Sequence, residues 1–503
     1  MKQLIHNGVL LPKKCEAKGF SICIKCKKVD LTPEQEEMAV AWVKKLGTEY
    51  VNDRVFVSNF FKDFCEALGL EEPFSPEDFD FTEIQRYVEQ EKDLKLTMSK
   101  EEKKRLAEAR KAVREANKEK YGYAIVDGQR VEVGNYVVEP PCIFMGRGKH
   151  PLRGRWKRGA AETDIILNLS PDAPRPKGNW REIVWQPDFM WIAKWDDKLR
   201  GVEKYLWLAD SFQVRQQREI EKFEKARKLE SRISSVRAHI EQNLQSNELS
   251  RRKIATACYL IDKLKLRVGD EKDKDEADTV GATTLRPQHI KIADKGLVKF
   301  DFLGKDSVRW RKEVELPRPV IDNLQQFIAS SRSTVFKGVD SEKVKFFLSE
   351  VVPGLTAKVF RTYHASKVVR EHLVGTKVRK SDPEYLKKHL ATVANLQAAI
   401  VCSHKRKIPK KWRESLMKKI ERLRKLKSKR TKKSEEAAEA LKVKIETAKA
   451  TRDYNLGTSL KSYIDPRIYY EWGKKVDFDW RLYYPKTLQR KFSWVEGTTS
   501  QTS

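Results

Sequence analysis

The runs Trp412-Arg-Glu-Ser-Leu416-Met-Lys-Lys-Ile420-Glu-Arg-Leu423 and Ala437-Ala-Glu-Ala-Leu441-Lys-Val-Lys-Ile445-Glu-Thr-Ala448 decide how this chain is divided. In each, apolar residues recur at helical spacing amid Lys, Arg and Glu, which marks one face of a helix. The polar stretch Lys427-Ser-Lys-Arg-Thr-Lys-Lys-Ser434 between them suits a turn. Residues 405–452 therefore read as two antiparallel helices, a protruding coiled-coil linker arm whose first half is strongly basic. Beyond it, residues 453–503 become compact and aromatic, with Tyr463, Tyr469, Tyr470, Trp472, Trp480, Phe492 and Trp494, and imply a small C-terminal domain.

Upstream of the arm the pattern is mainly helical, from Pro319 to Cys402 and from Ser211 to Leu264. A β-hairpin over Val298–Leu316 interrupts it, with Gly304-Lys305-Asp306 at the tip. From Tyr121 to Leu208, β-formers and aromatics prevail, as in Phe189-Met-Trp-Ile-Ala-Lys-Trp. Thr97–Lys120 reads as an exposed charged helix. Near the start, Thr32, Pro33 and Gln35 form a capping-box signature for one helix. A second helix is predicted from Ser58, with Asn59-Phe-Phe-Lys-Asp-Phe. The fold class is α+β and multidomain.

The chain has 503 residues, enough for three or four units at about 100–200 residues each. Lys and Arg number 103 against 72 acidic residues, a net charge of +31, so a polyanionic partner is expected. No stretch approaches the roughly 18–20 apolar residues of a membrane span, and the start lacks a signal peptide's apolar core, so an intracellular protein is expected. The seven cysteines are scattered, which fits reduced thiols. Cys23-Ile-Lys-Cys26 is a CxxC with no second pair or HxxxH to complete four zinc ligands, so no metal site is assigned.

No GxxxxGK[ST] loop or HExxH occurs, and Gly146-Arg-Gly148 lacks the third glycine of a dinucleotide site. Metal-free attack on a phosphodiester needs cationic donors for the nonbridging oxygens, a nucleophile, and an acid for the leaving oxygen. Arg267 follows an apolar helix and precedes a glycine turn, where it could equally cap that helix. Lys305 occupies the hairpin tip. Lys358 and Arg361 share a helix face at i, i+3, the spacing also of a plain surface pair. His404 ends an apolar helix, where a satisfied buried histidine is the common outcome. Tyr463 lies in the polar segment Asn455-Leu-Gly-Thr-Ser-Leu-Lys-Ser-Tyr463. A tyrosine of pKa about 10 attacks only where positive charge favours its phenolate.

Together and in this order, these segments resemble the active site of eukaryotic-type DNA topoisomerase IB. The resemblance extends to the Asn59 motif, Glu139-Pro-Pro, Gly146-Arg-Gly-Lys-His-Pro, Glu276-Ala-Asp-Thr-Val-Gly and Leu456-Gly-Thr-Ser, and so covers nearly the whole chain. It implies that Tyr463 is the nucleophile, that Arg267, Arg361 and His404 hold the phosphate, and that Lys305 protonates the leaving 5′-oxygen. It further implies DNA contacts from Arg147, Lys149, Lys358, Asp306 and Ser462, with Arg147 in the stretch that approaches the minor groove. No cofactor or metal is implied, and the partner is double-stranded DNA, bound by a monomer.

The fold so implied is a two-lobed clamp. Residues 1–205 form a cap lobe and 206–404 a helical catalytic lobe with its hairpin, followed by the 405–452 linker and the 453–503 C-terminal domain. The sequence departs from the family at the nucleophile, flanked here by Ser462 and Ile464 where relatives carry Asn nearby, which bears on camptothecin-like poisons. The arm is shorter and no long charged N-terminal extension is present, which points to an archaeal short form, in cytoplasm or nucleoid, or a trimmed eukaryotic core, in the nucleus. Two rivals compete. A tyrosine recombinase shares the Arg, Lys, Arg, Tyr chemistry but favours HxxR where this chain has Lys358-Val-Phe-Arg361. A non-enzymatic DNA clamp accounts for the charge but not for the full residue set.

Overall fold

In the computed structural model, which describes residues 1–13, 15–71, 74–270, 279–293, 296–305, 308–429 and 431–498, about half of the chain is helical and the rest is built on short strands and loops. Contacts divide it into two compact units, Met1–Phe212 and Gln213–Ser503. Among the described residues no helix is long and apolar enough to cross a membrane.

The first unit carries β1 (Leu4–His6), β2 (Ser21–Ile24), β3 (Lys27–Asp30), α1 (Pro33–Val43), α2 (Arg54–Leu68), β4 (Phe79–Asp80), α3 (Thr82–Thr97), α4 (Lys100–Tyr121), β5 (Tyr123–Val126), β6 (Gln129–Glu132), β7 (Cys142–Ile143), β8 (Trp156–Lys157), β9 (Ile166–Asn168), β10 (Glu182–Val184), β11 (Trp191–Asp197) and β12 (Val202–Trp207). The Thr32 capping box forms, with Gln35 Oε1 accepting from Thr32 N at 2.7 Å. Helix α2 begins at Arg54 rather than Ser58, because Asp53 caps it by accepting from Val55 N at 3.1 Å. The expected charged helix is α4, which buries no residue and starts at its own cap, Ser99. Cys23 lies in β2 and Cys26 in the two-residue turn to β3, where Lys25 (φ 46°) and Cys26 (φ 67°) give the left-handed pair that such a hairpin needs. One apolar core lies around α1 to α3, with Phe56, Phe60 and Phe64. Another joins β1, β5, β9 and β11 through Leu4, Val126, Leu167 and Ile192.

The second unit carries α5 (Gln213–Asn243), α6 (Leu249–Leu264), β13 (Ile290–Ile292), β14 (Leu297–Gly304), β15 (Val308–Glu315), α7 (Arg318–Ala329), α8 (Ser341–Ser349), α9 (Ala357–Val374), α10 (Glu384–Val401), α11 (Trp412–Lys427), α12 (Lys432–Ala450), α13 (Leu456–Ser462), α14 (Pro466–Val476), α15 (Lys486–Lys491) and α16 (Val495–Thr498). One core joins α5 to α9 and the three-stranded sheet, through Leu260, Phe300, Phe327 and Phe360. A second is shared between α5, α9 and α10, through Phe223, Val369 and Ala394, and the C-terminal residues Leu460, Ile464, Tyr469, Trp472 and Phe492. Residues after the arm are thus anchored on the helices that precede it.

The arm region forms a helical hairpin, but its second helix starts at Lys432, inside the stretch expected to turn. Thr431 caps it, accepting from Ser434 N at 3.2 Å. Helix α12 also packs against α10, where His389 Nδ1 meets Thr447 Oγ1 at 2.6 Å. A helix with neighbours on two sides buries more than one stripe, so Leu441, Val443 and Ile445 are all buried, and Ala438 is buried in place of Ala437.

Candidate active site

Arg361 sits in the second turn of α9 and is 6% exposed. Its guanidinium joins the ends of two other helices. Nη1 donates to Lys265 O at 2.5 Å, just past α6, and Nη2 donates to Cys402 O at 2.8 Å, at the end of α10. Both ends turn through a left-handed residue that is not glycine: Lys265 (φ 59°) and Ser403 (φ 53°). A left-handed conformation costs an L residue about 1–2 kcal/mol, so packing must hold these turns in place. At α10 the turn is a Schellman motif, with Ser403 N donating to Ile400 O at 3.0 Å and His404 N to Ala399 O at 2.8 Å. Each reversal delivers a polar residue to one cleft, Arg267 from α6 and His404 from α10.

The chain around Arg267 is fixed by a neighbouring segment. Ala282 N donates to Arg267 O at 2.8 Å and Thr283 N to Val268 O at 2.7 Å. A Cβ on Gly281 would lie 2.4 Å from Gly269 Cα and 2.7 Å from Arg267 O, both backbone atoms. Gly281→Ala is therefore expected to destabilise the second unit by about 2 kcal/mol or more. Chemical denaturation measures it, and an unchanged midpoint would show that the two segments separate freely.

Tyr463 follows α13, whose start is capped by Asn455 Oδ1 accepting from Gly457 N at 3.1 Å. Asn455 N donates to His404 O at 2.7 Å and Arg406 N to Asp453 O at 2.9 Å, so the two strands at the base of the helical hairpin pair beside the site. Helix α10 holds α13 through Ser459 Oγ donating to Asn395 Oδ1 at 2.7 Å. Helix α9 holds the other side: Ser366 Oγ donates to Tyr463 O at 3.2 Å and accepts from Asp465 N at 3.0 Å. The half-buried Tyr463 ring then has the Arg361 guanidinium 5.0 Å from its centroid and the His404 ring 5.2 Å away.

This placement sets the charge states. Burial pushes the Tyr463 phenol up, but Arg361, Arg267 and a hydrogen bond from Arg361 outweigh it, so the phenol lies below its ordinary range. Burial and the same two arginines lower His404 to about 3, leaving the imidazole neutral. Nε2 of His404 lies 3.2 Å from Arg361 Nη2. Arginine only donates, so Nε2 accepts and the proton resides on Nδ1. Among the described residues, His404 Nδ1 and Arg361 Nε are buried without a partner. An unmet buried donor costs about 1–3 kcal/mol, which an anionic oxygen would relieve.

Arg267, Lys305, Arg361 and His404 all line one cleft of about 520 Å³. Strands β14 and β15 pair up to Gly304 and Val308, and Lys305 directly follows the last residue of β14. The five residues singled out for phosphodiester chemistry thus meet at one place. Lys358 is exposed in the first turn of α9, whereas Arg361 is buried, so the two are not a surface pair. Ser462 is half-buried at the end of α13. Asp306 and the Glu276-Ala-Asp stretch lie outside the described residues.

Arg147 and Lys149 are exposed in a loop of the first unit. The loop is built on α2. Asn59 Nδ2 donates to Pro151 O and Arg153 O, each at 2.7 Å, and Asp63 accepts from Arg155 Nε at 2.7 Å and Trp156 N at 2.6 Å. Asn59 and Asp63 thus support a basic loop distant in sequence. Spacing alone gave no sign of that role, nor of those of Lys265, Ser366 or Asn395.

Three family models cover the chain: "Eukaryotic DNA topoisomerase I, DNA binding fragment" over residues 1–208, "Eukaryotic DNA topoisomerase I, catalytic core" over 211–438, and "C-terminal topoisomerase domain" over 435–502. The chain belongs to the eukaryotic DNA topoisomerase I family, the type IB enzymes. It is 38% identical to DNA topoisomerase 1 beta of Arabidopsis thaliana over 98% of its own length and 58% of that protein's. It is 34% identical to DNA topoisomerase 1 of Daucus carota, over 98% of this chain and 71% of the relative, and 33% identical to that of Homo sapiens, over 93% and 67%. The chain thus spans little more than half the length of the Arabidopsis relative.

Proposed function

We propose that this chain is a type IB DNA topoisomerase that nicks one strand of duplex DNA, lets it rotate, and reseals it. The Tyr463 oxygen attacks phosphorus, and the bond to the 5′-oxygen breaks. Lys305 supplies the proton to that leaving oxygen. Arg267, Arg361 and the His404 Nδ1–H hold the nonbridging oxygens as charge develops on them. The 3′-phosphotyrosine conserves the bond energy, so the free 5′-hydroxyl reverses the reaction without ATP, and positive and negative supercoils both relax. What carries this reading is the Tyr463 ring set against Arg361 and His404 beside the cleft that Arg267 and Lys305 line.

In this reading the chain acts as a monomer that clamps double-stranded DNA. Residues 1–205 are the cap lobe, which brings Arg147 and Lys149 to the groove, and 206–404 the catalytic lobe with Lys358 and Asp306. Residues 405–452 act as linker, and 453–503 present Tyr463 with Ser462 beside it. Supercoiled plasmid in EDTA without ATP is expected to relax to completion. Failure to relax sinks the proposal, and strand exchange between two defined sites would indicate a recombinase instead. With a net charge of +31, DNA affinity is expected to fall about 10³-fold or more between roughly 50 and 200 mM salt as counterions are released. Titration by fluorescence anisotropy reads it, and a flat salt response would rule out a phosphate-gripping clamp.

A further inference from the structure

Lys305 stands at the end of a two-stranded ribbon, and an acid acts only within hydrogen-bond reach of the atom it protonates. Some contact must therefore fix the ribbon against the helices that hold the phosphate. Trp310 of β15 is placed for that task. It pairs across the ribbon with Phe302, one residue pair below Leu303 and Arg309 and two below Gly304 and Val308. Its ring stacks on Phe302 at 5.0 Å and 22°, and it lines the cleft. Its Nε1 donates to Ser403 Oγ at 3.1 Å, across 93 positions of sequence. Ser403 is the left-handed residue of the α10 Schellman turn, between Cys402, whose carbonyl holds Arg361, and His404.

We infer that Trp310 is a positioning residue for the leaving-group acid: its indole N–H, docked on Ser403, holds the Lys305 ribbon against the turn that places Arg361 and His404. The inference rests on the assignment of Lys305 as the acid. On the other strand Leu303 O accepts from Val280 N at 2.8 Å, in the segment that pairs with Arg267. The Trp310–Ser403 bond is the tie to the turn that places Arg361 and His404, so losing it leaves the arginines in place and frees Lys305 on that side. The ammonium proton then reaches the departing 5′-oxygen less often, while attack by Tyr463 and stabilisation of the nonbridging oxygens continue.

The test compares cleavage of two DNAs, one with the natural 5′-oxygen and one with sulfur at the bridging 5′ position. A thiol has a pKa of about 8.5, far below that of an alcohol, so the sulfur departs as thiolate with the bonding electron pair and needs no proton. Trp310→Phe keeps an aromatic ring beside Phe302 while removing the donor and part of the ring. Ser403→Gly removes the acceptor while suiting the left-handed turn. Each is expected to slow single-turnover cleavage of ordinary DNA about tenfold or more, part of the roughly 10²–10⁴-fold that a positioned acid contributes. Both, like Lys305→Ala, are expected to cleave the sulfur-bridged DNA at the wild-type rate, and the double variant is expected to be no slower than the slower single one. Equal slowing on both DNAs, or no slowing on ordinary DNA, overturns the inference while leaving the Lys305 assignment intact. A Lys305→Ala enzyme that stays slow on the sulfur-bridged DNA overturns both.

Discussion

Tyr463→Phe is expected to leave a folded protein that binds DNA with unchanged affinity and relaxes none of it. The substitution removes one oxygen from a half-buried ring. The two hydrogen bonds through Ser366 that seat this segment use only its backbone, so they survive. Helix α13 likewise keeps its Asn395 anchor. Folding stability should therefore change by about 1 kcal/mol or less. Cleavage should fall by about 10⁶-fold, because no other group takes over once a nucleophile is gone. The sharper readout is the adduct itself. With a 5′-labelled strand, the wild type should yield a protein–DNA species resistant to denaturant, because the label lies on the side that ends in the 3′-phosphotyrosine. The variant should yield none. Retained relaxation by Tyr463→Phe would falsify the assigned nucleophile, and an adduct carrying only a 3′-end label would reverse the assigned polarity.

What could be read from the sequence, and what could not, follows from the range of the interactions. The Thr32 cap is local, since its partner lies three residues away, and it forms as expected. The β14–β15 hairpin and the helices around it are local in the same sense. Arg361 is different. Its spacing from Lys358 fits a surface pair equally well, and only the arrival of Lys265 and Cys402, 96 and 41 positions away, makes it a buried hub. No propensity marks Lys265 or Ser403 as left-handed, because glycine is the usual signal and neither position has it. The second arm helix starts at Lys432, inside the stretch that reads as a turn, for a related reason. A run of Lys and Ser looks like a turn until Thr431 and Ser434 are seen to cap each other. Tyr463 itself, one tyrosine among 15, became legible only through its order with the other four site residues. The structure adds the cause: α9 carries Arg361 and holds the Tyr463 backbone through Ser366.

Arg361→Lys is expected to lower the cleavage rate by about 10²–10³-fold although the charge is kept. A lysine ammonium cannot reach Lys265 O, Cys402 O and a phosphate oxygen together from one planar fork, so either the helix ends or the DNA loses its donor. Arg361→Ala should be slower still, and its pH dependence separates chemistry from packing. Burial already pushes the Tyr463 phenol up, and Arg361 and Arg267 bring it back below the ordinary range. Without Arg361 only Arg267 opposes burial, so the phenol's pKa rises. Attack requires the phenolate, so the rate climbs with pH through that pKa, and the climb must move to higher pH in Arg361→Ala. His404 shifts in the same direction. Its depression to about 3 comes from burial and from both arginines, so losing one raises it, but from so low a start that the imidazole remains neutral where cleavage is assayed. The displacement of the rising limb therefore reports on Tyr463 and not on His404. Single-turnover cleavage across pH 6 to about 10 measures it. A rate that drops by one constant factor at every pH would mean that Arg361 braces the two helix ends and does nothing for the nucleophile.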